Sequence, residues 1–286
     1  MKFTKMHGLG NDYIYVNGAA ERVEDRSALA VRLSDRHFGI GSDGLIFINP
    51  SDKADFEMEM YNSDGSRAEM CGNGIRCVAK YVFDNGLTDK KSLDIETLAG
   101  VKHIELMVDE ASGRAEGARV NMGRPSAQPV DLPCDPSYFE GYTEGGVIGQ
   151  SLEVRGKKWN VTCISVGNPH AVVFIDTPVR DFPLEEMGPL FENHPAFPAR
   201  VNTEFVRILG DDTVEMRVWE RGAGETLACG TGATAVAVAC ILRGFMKDRV
   251  RVKLLGGDLD IQWAGEEADA FMTGSATTVY TGEVVL

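Results

Sequence analysis

The sequence predicts an α+β fold of two pseudo-symmetric domains, each a curved mixed or antiparallel sheet wrapped around a central helix. Three observations predict it. Strand-like segments outnumber helical ones and do not alternate with them regularly, unlike a doubly wound sheet. The chain repeats itself at one fixed offset. The two helical stretches that suit a core both follow the motif CG-x-G.

The strands are short and rich in β-branched or aromatic residues, with Gly, Asp or Pro near many of their ends. "FEMEMYN" (56–62) puts Phe56, Met58 and Met60 on one face. "VKHIELMV" (101–108), "WNVTCISVG" (159–167), "AVVFIDT" (171–177), "EFVRIL" (204–209), "TVEMRVWE" (213–220), "VRVKLLG" (250–256) and "TVYTGEVVL" (278–286) follow the same rule. "RSALAVRLSDRHFG" (26–39) predicts a helix, and "LEEMGPLFEN" (184–193) a weaker one, because Pro189 interrupts it. Two more helices begin after Cys71 and Cys229 and close at Gly86 and Gly244. "GATAVAVACILRG" is apolar on nearly every face and must be buried all round. "GIRCVAKYVFDNG" is only partly so.

The repeat sets the domain organisation. Cys71 and Cys229 lie 229 − 71 = 158 residues apart. With that offset and no gap, Met58 falls on Met216, Tyr61 on Trp219, Gly72 on Gly230, Gly74 on Gly232, Val78 on Val236, Ala79 on Ala237 and Gly86 on Gly244. The stretch 109–150 is rich in Gly, Pro, Asp and Ser. We place the change-over near Gly123–Pro125, giving halves 1–123, completed by a C-terminal strand 275–286, and 124–274.

Composition narrows the function classes. The 286 residues are 43% hydrophobic and 25% charged, a globular profile. Lys plus Arg is 29 and Asp plus Glu 43, so the net charge of −14 disfavours nucleic acid and anionic membranes as partners. The start lacks the apolar core of a signal peptide, and the longest apolar run, near 233–242, is too short for a membrane span. The expected compartment is the cytoplasm, where the six cysteines stay reduced. "GIGSDG" (39–44) matches G-x-G-x-x-G, but it precedes the strand "LIFIN" instead of opening a helix, so the dinucleotide reading fails. No cofactor is expected. No metal is expected either: Cys71 and Cys77 are spaced too widely for a common ligand pair, and no histidine cluster accompanies them.

Each CG-x-G turn has a chemistry of its own. The helix that follows aims its first N–H groups at the loop, and the glycines let a ligand approach. Such an end attracts a carboxylate and lowers the pKa of a nearby thiol. Two such turns facing one another would set two cysteines on opposite faces of one carboxylate-bearing carbon. One thiolate would remove the α-proton and the opposite thiol would return another, the two titrating as a coupled pair. A lone cysteine in such a turn is more often a packing residue; the duplication reverses that weighting. Cys77, Cys134, Cys163 and Cys240 read as structural, as do His7 and His37.

The blocks "HGLGNDY" (7–13), "YNSDGSRAEMCGNGIRC" (61–77), "GNPH" (167–170), "FPARVN" (197–202) and "WERGAGETLACGTGA" (219–233) resemble the signature blocks of the diaminopimelate epimerase family, in that family's order. The resemblance implies interconversion of LL- and meso-diaminopimelate in lysine and peptidoglycan synthesis, without pyridoxal phosphate or metal, in a homodimer. It makes Cys71 and Cys229 the catalytic pair. It puts the reacting carboxylate on the amides of Gly72, Asn73, Gly230 and Thr231. Asn62, Asn168, Asn202 and Arg221 match residues that hold the distal amino acid end, and Asn11 matches a further substrate contact. Glu220 and His170 match residues beside the cysteines. Some members carry glutamine where this chain has Gly44, so that contact must come from elsewhere, from Ser42, Asp43 or water. Two rivals stand beside this reading: a proline racemase-like enzyme, which shares the two-cysteine logic, and a non-catalytic thiol protein switched by oxidation.

Overall fold

A computed structural model of the chain describes residues 1–142 and 144–286. The chain divides into two compact units, Met1–Asn121 with Thr273–Leu286, and Met122–Met272. The elements run β1 (Lys2–Gly8), β2 (Asn11–Asn17), α1 (Arg26–Ser34), β3 (Gly44–Asn49), β4 (Phe56–Asn62), β5 (Arg67–Ala68), α2 (Gly72–Asp84), β6 (Ser92–Thr97), β7 (Gly100–Val108) and β8 (Ala115–Gly123). After β9 (Phe139–Glu140) and β10 (Ile148–Val154) come β11 (Lys157–Ser165), β12 (Pro169–Phe174), α3 (Leu184–Glu192), β13 (Asn202–Ile208), β14 (Thr213–Glu220), β15 (Gly224–Glu225) and α4 (Gly230–Leu242). The chain ends with β16 (Arg249–Leu254), β17 (Gly257–Trp263), β18 (Ala270–Ser275) and β19 (Thr277–Glu283).

The repeat holds element by element. Adding 158 to the bounds of α1 and α2 gives 184–192 and 230–242, the bounds of α3 and α4. Strand pairing repeats too. In the first unit β1 pairs antiparallel with β2, β2 parallel with β3, β3 antiparallel with β4, β4 parallel with β6 and β6 antiparallel with β7. In the second, β11 to β12, β12 to β13, β13 to β14, β14 to β16 and β16 to β17 reproduce the same sequence of senses. The outer partner of β1 is the C-terminal β19, and its counterpart beside β11 is β10. The chain is thus an α+β protein built twice from one pattern.

Each sheet packs on its own helix. α4 lies against β11, β12, β13, β16 and β17. Its Ala233, Ala235, Val236 and Ala237 are fully buried, as an all-round apolar helix requires. α2 lies against β1, β2 and β7 and departs from the expected half-exposed helix, for it is as deeply buried as α4. Its charges are satisfied internally. Arg76, fully buried, donates to Gly72 O, Asn73 Oδ1 and Ser275 O, and Lys80 pairs with Asp84 and the Ala115 carbonyl. Both helices close as sketched from sequence. Gly86 (φ +68°) and Gly244 (φ +70°) occupy the left-handed position, with crossed bonds Gly86 N to Phe83 O and Leu87 N to Val82 O, repeated by Gly244 and Phe245. α3 continues through Pro189. Leu184, Met187 and Phe191 bury its inner face in the second unit's core, which outweighs the lost bond.

Candidate active site

Both cysteines are helix N-caps. Cys71 (φ −135°, ψ 117°) and Cys229 (φ −118°, ψ 112°) hold extended backbone just ahead of α2 and α4. Each sulfur accepts from the third helical amide, Gly74 N at 3.3 Å and Gly232 N at 3.4 Å. Sulfur here does the work usually done by a Ser or Asp oxygen. The main-chain ladder begins with Ile75 N to Cys71 O and Ala233 N to Cys229 O. The amides of Gly72, Asn73, Gly230 and Thr231 therefore precede the ladder, at the end where the helix dipole favours an anion.

Around Cys71 the first unit gathers Asn11 and Asn73. The Cys71 sulfur lies 3.2 Å from Asn11 Oδ1, to which Asn73 Nδ2 also donates at 3.5 Å. Asn11 is turned this way by Asp43, whose Oδ2 takes its Nδ2 at 2.7 Å. Asn62, at the end of β4, donates to Ser66 Oγ at 3.0 Å within its own turn. Gly44 pairs with Asn62 across β3 and β4, and a Cβ there would run into the Tyr61 carbonyl and the Tyr13 ring. No larger residue fits this backbone. Of the two substitutes suggested for a glutamine at this place, Asp43 reaches Asn11, whereas Ser42 is buried and donates to the Gly44 carbonyl.

Around Cys229 the second unit builds a longer chain of contacts. Thr231 Oγ1 lies 3.5 Å from the sulfur. Asn168 Nδ2 donates to Thr231 Oγ1 at 3.3 Å, and Asn168 Oδ1 lies 3.0 Å from His170 Nε2. His170 Nδ1 lies 2.6 Å from Glu204 Oε1, with both side chains fully buried. Asn202 donates to Pro169 O at 2.9 Å and accepts from the Arg221 amide at 2.8 Å, fastening the start of β12 to the loop after β14. The exposed Arg221 guanidinium touches Ala199 O at 3.1 Å. Glu220 accepts from the Thr226 hydroxyl.

Electrostatics acts strongly on the Cys229 turn. Burial pushes the Cys229 thiol well above its usual range; Glu220 and Glu204 push it the same way, and Thr231 and the Gly232 amide oppose them with smaller effect. At Cys229 the lowering by the helix-end amide is present but outweighed by burial and the two glutamates. Burial likewise raises the Glu204 carboxyl against the pull of His170. Burial raises Cys77 and Cys134 to about 11 and Cys240 to about 12, and holds Cys163 well above its usual range, as inert packed thiols should be. All six cysteines are free thiols. Among the described residues, no group of three or more His, Cys, Asp or Glu side chains is arranged to hold a metal ion. No helix among them is long and apolar enough to cross a membrane.

Sequence reading missed Glu204, and it offered Asp43 only as a stand-in for a glutamine contact, not as the partner of Asn11. Glu204 lies in a strand whose charges read as solvent-facing. A signal was present, since 204 − 158 = 46 and position 46 is isoleucine.

Comparison with known proteins bears on this arrangement. The sequence matches one protein family, diaminopimelate epimerase, over residues 3–127 and 162–279. A diaminopimelate epimerase of Acetivibrio thermocellus is 55% identical over 286 residues, covering 100% of this chain and 99% of its own. One of Agathobacter rectalis is 54% identical over 285 residues, covering 99% of each. Two solved structures share the fold at low identity. A PhzF-family phenazine biosynthesis protein of Bacillus anthracis has a TM-score of 0.69 at 17% identity, covering 100% of this chain and 99% of its own. A hydroxyproline epimerase of Agrobacterium vitis, with bound trans-4-hydroxy-L-proline, has a TM-score of 0.66 at 15% identity, covering 99% and 90%.

Proposed function

The chain belongs to the diaminopimelate epimerase family, and we propose that it works with two thiols, Cys71 and Cys229, as its acid–base pair. It is an isomerase, and its reaction is the epimerisation of diaminopimelate, LL to meso and back, a step of lysine biosynthesis. The observation that carries the two-thiol reading is the cysteine-capped helix built twice at one offset.

The chemistry follows from that repetition. One sulfur, as thiolate, takes the α-proton. The electron pair left on carbon spreads into the carboxylate, which the amides of Gly72, Asn73, Gly230 and Thr231 hold. The opposite thiol gives its proton to the other face. The sulfurs exchange protonation states, nothing is oxidised, and we propose that neither pyridoxal phosphate nor a metal takes part. Each thiol belongs to one half of the chain, 1–123 completed by 275–286, or 124–274, so both halves serve one carbon. Asn62, Asn168, Asn202 and Arg221 hold the distal amino acid end: amides both donate and accept, and a guanidinium forks a carboxylate. Asn11 and Glu220 complete the contacts at the reacting end, and His170 supports Asn168. We place the protein in the cytoplasm as a homodimer.

A proline-type racemase would need a small pocket for a secondary amine, and the structure that binds a proline derivative shares only the fold at 15% identity. The deciding experiment is proton NMR of LL-diaminopimelate in D₂O with reduced protein and no added cofactor, alongside Cys71→Ala and Cys229→Ala. The α-proton signal should decay as the meso isomer appears, and both variants should abolish this. Exchange that persists in either variant would sink the two-thiol mechanism.

A further inference from the structure

The two halves differ at one buried place. Position 46 in β3 and position 204 in β13 are equivalent at the 158 offset, and both lie beneath the first turn of the adjoining helix. A Cβ on Gly74 would meet the Ile46 side chain at 3.0 Å, whereas a Cβ on Gly232 would meet Glu204 Oε1 at 2.7 Å and the Cys229 sulfur at 3.2 Å. An aliphatic side chain supports one cysteine turn, and a carboxyl group supports the other. A buried carboxyl is costly unless it serves something. Glu204 Oε2 is buried and has no hydrogen-bond partner among the described residues, so the group is not there for its packing alone.

We propose that Glu204 is a positioning residue for the Cys229 end of the reaction, anchoring His170 and through it the Asn168–Thr231 pair that reaches the sulfur. This rests on the two-thiol reading above. The hydrogen count supports it. Asn168 gives its Nδ2 hydrogen to Thr231, so its oxygen faces His170 Nε2. An amide oxygen only accepts, so Nε2 must carry a hydrogen. The contact of Nδ1 with Glu204 needs a second hydrogen. The pair is therefore an imidazolium with a carboxylate, or a neutral ring with a carboxylic acid; either way it has no net charge. Every donor then points one way: His170 to Asn168, Asn168 to Thr231, Thr231 to sulfur. When Cys229 has given up its proton, its thiolate meets the Thr231 hydroxyl as well as the Gly232 amide. The ionisable groups facing this cluster are His170 on β12, Cys163 on β11, Glu220 at the end of β14 and Cys229 itself. Around Cys71 the polarity is reversed, for there the sulfur faces the oxygen of Asn11.

The test compares Glu204→Ile, which copies the first unit, with Glu204→Gln. The glutamine amide can donate to Nδ1 and keep Nε2–H directed at Asn168. With diaminopimelate as substrate, Glu204→Ile should lower kcat by roughly tenfold or more, with KM within roughly twofold and no loss of thermal stability. Glu204→Gln should recover most of the loss. The ¹⁵N spectrum of His170 in the unaltered protein should show hydrogen on Nε2. A kcat for Glu204→Ile equal to that of the unaltered protein, a glutamine variant no better than the isoleucine one, or a bare Nε2 would overturn the proposal. If Glu204→Ile fails to fold, the glutamine variant and the His170 spectrum still decide. Cys229→Ala run in parallel separates the two ideas: its continued activity would remove the two-thiol reading, while its inactivity beside a fully active Glu204→Ile would remove this proposal alone.

Discussion

Cys229 is a thiol kept protonated by its surroundings. Burial raises it most, and Glu220 and Glu204 act in the same direction, so thiolate forms in the free protein only above the usual thiol range. The stability linked to this shift is complete below the range of an unfolded cysteine and declines as pH climbs towards the folded value. Glu220→Gln removes one of the negative charges and should lower the thiol pKa. At a fixed pH near about 8, iodoacetamide should then label Cys229 several-fold faster, since each unit of pKa is worth about tenfold in thiolate below the midpoint. Peptide mass spectrometry reads this directly, with buried Cys163 and Cys240 as controls for loosened structure. A rate unchanged or slower would take Glu220 out of the account.

At the scale of the helix, the sulfurs of Cys71 and Cys229 are caps. A serine at either position keeps an acceptor for Gly74 N or Gly232 N, whereas alanine removes it. Cys71→Ala should be less stable than Cys71→Ser by about 1 kcal/mol in urea unfolding, while the two-thiol proposal expects both to be inactive. Equal stabilities would mean that the sulfur does not cap. The helices were the most legible elements, because a repeated cysteine–glycine turn, a long apolar run and a closing glycine agree with one another. The strands were less so. β1, "KFTKMHG", interleaves lysines and has a single β-branched residue, Thr4, and β8, "AEGARVNMG", is rich in poor strand formers. Tertiary pairing makes them strands. Pro189 weakened the reading of α3 because propensity is local, while the packing of Phe191 and Met187 is not. At the site, the cysteines, His170 and the asparagines stand in recognisable blocks. Asp43 and Glu204 touch other polar side chains and stand in no motif of their own; only the 158 offset, which sets Glu204 against Ile46, singles Glu204 out.

The molecule as a whole is one pattern used twice, and the two-thiol mechanism proposed above draws on both copies. A carbanion-like species must be kept from bulk water, so substrate binding should draw the two units together. Small-angle scattering with a non-reacting diaminopimelate analogue should show a smaller radius of gyration than the free protein; superimposable curves would count against closure. The double use of sulfur has a last consequence, for drug design. α4 is the helix on which the second sheet packs, and its first turn is fastened by the atom that an electrophilic inhibitor would attack. A warhead bonded to Cys229 adds bulk at the first turn of α4, where the sulfur already lies close against Gly232. Such a compound would poison the chemistry and loosen the fold at once, and resistance would have to repair both.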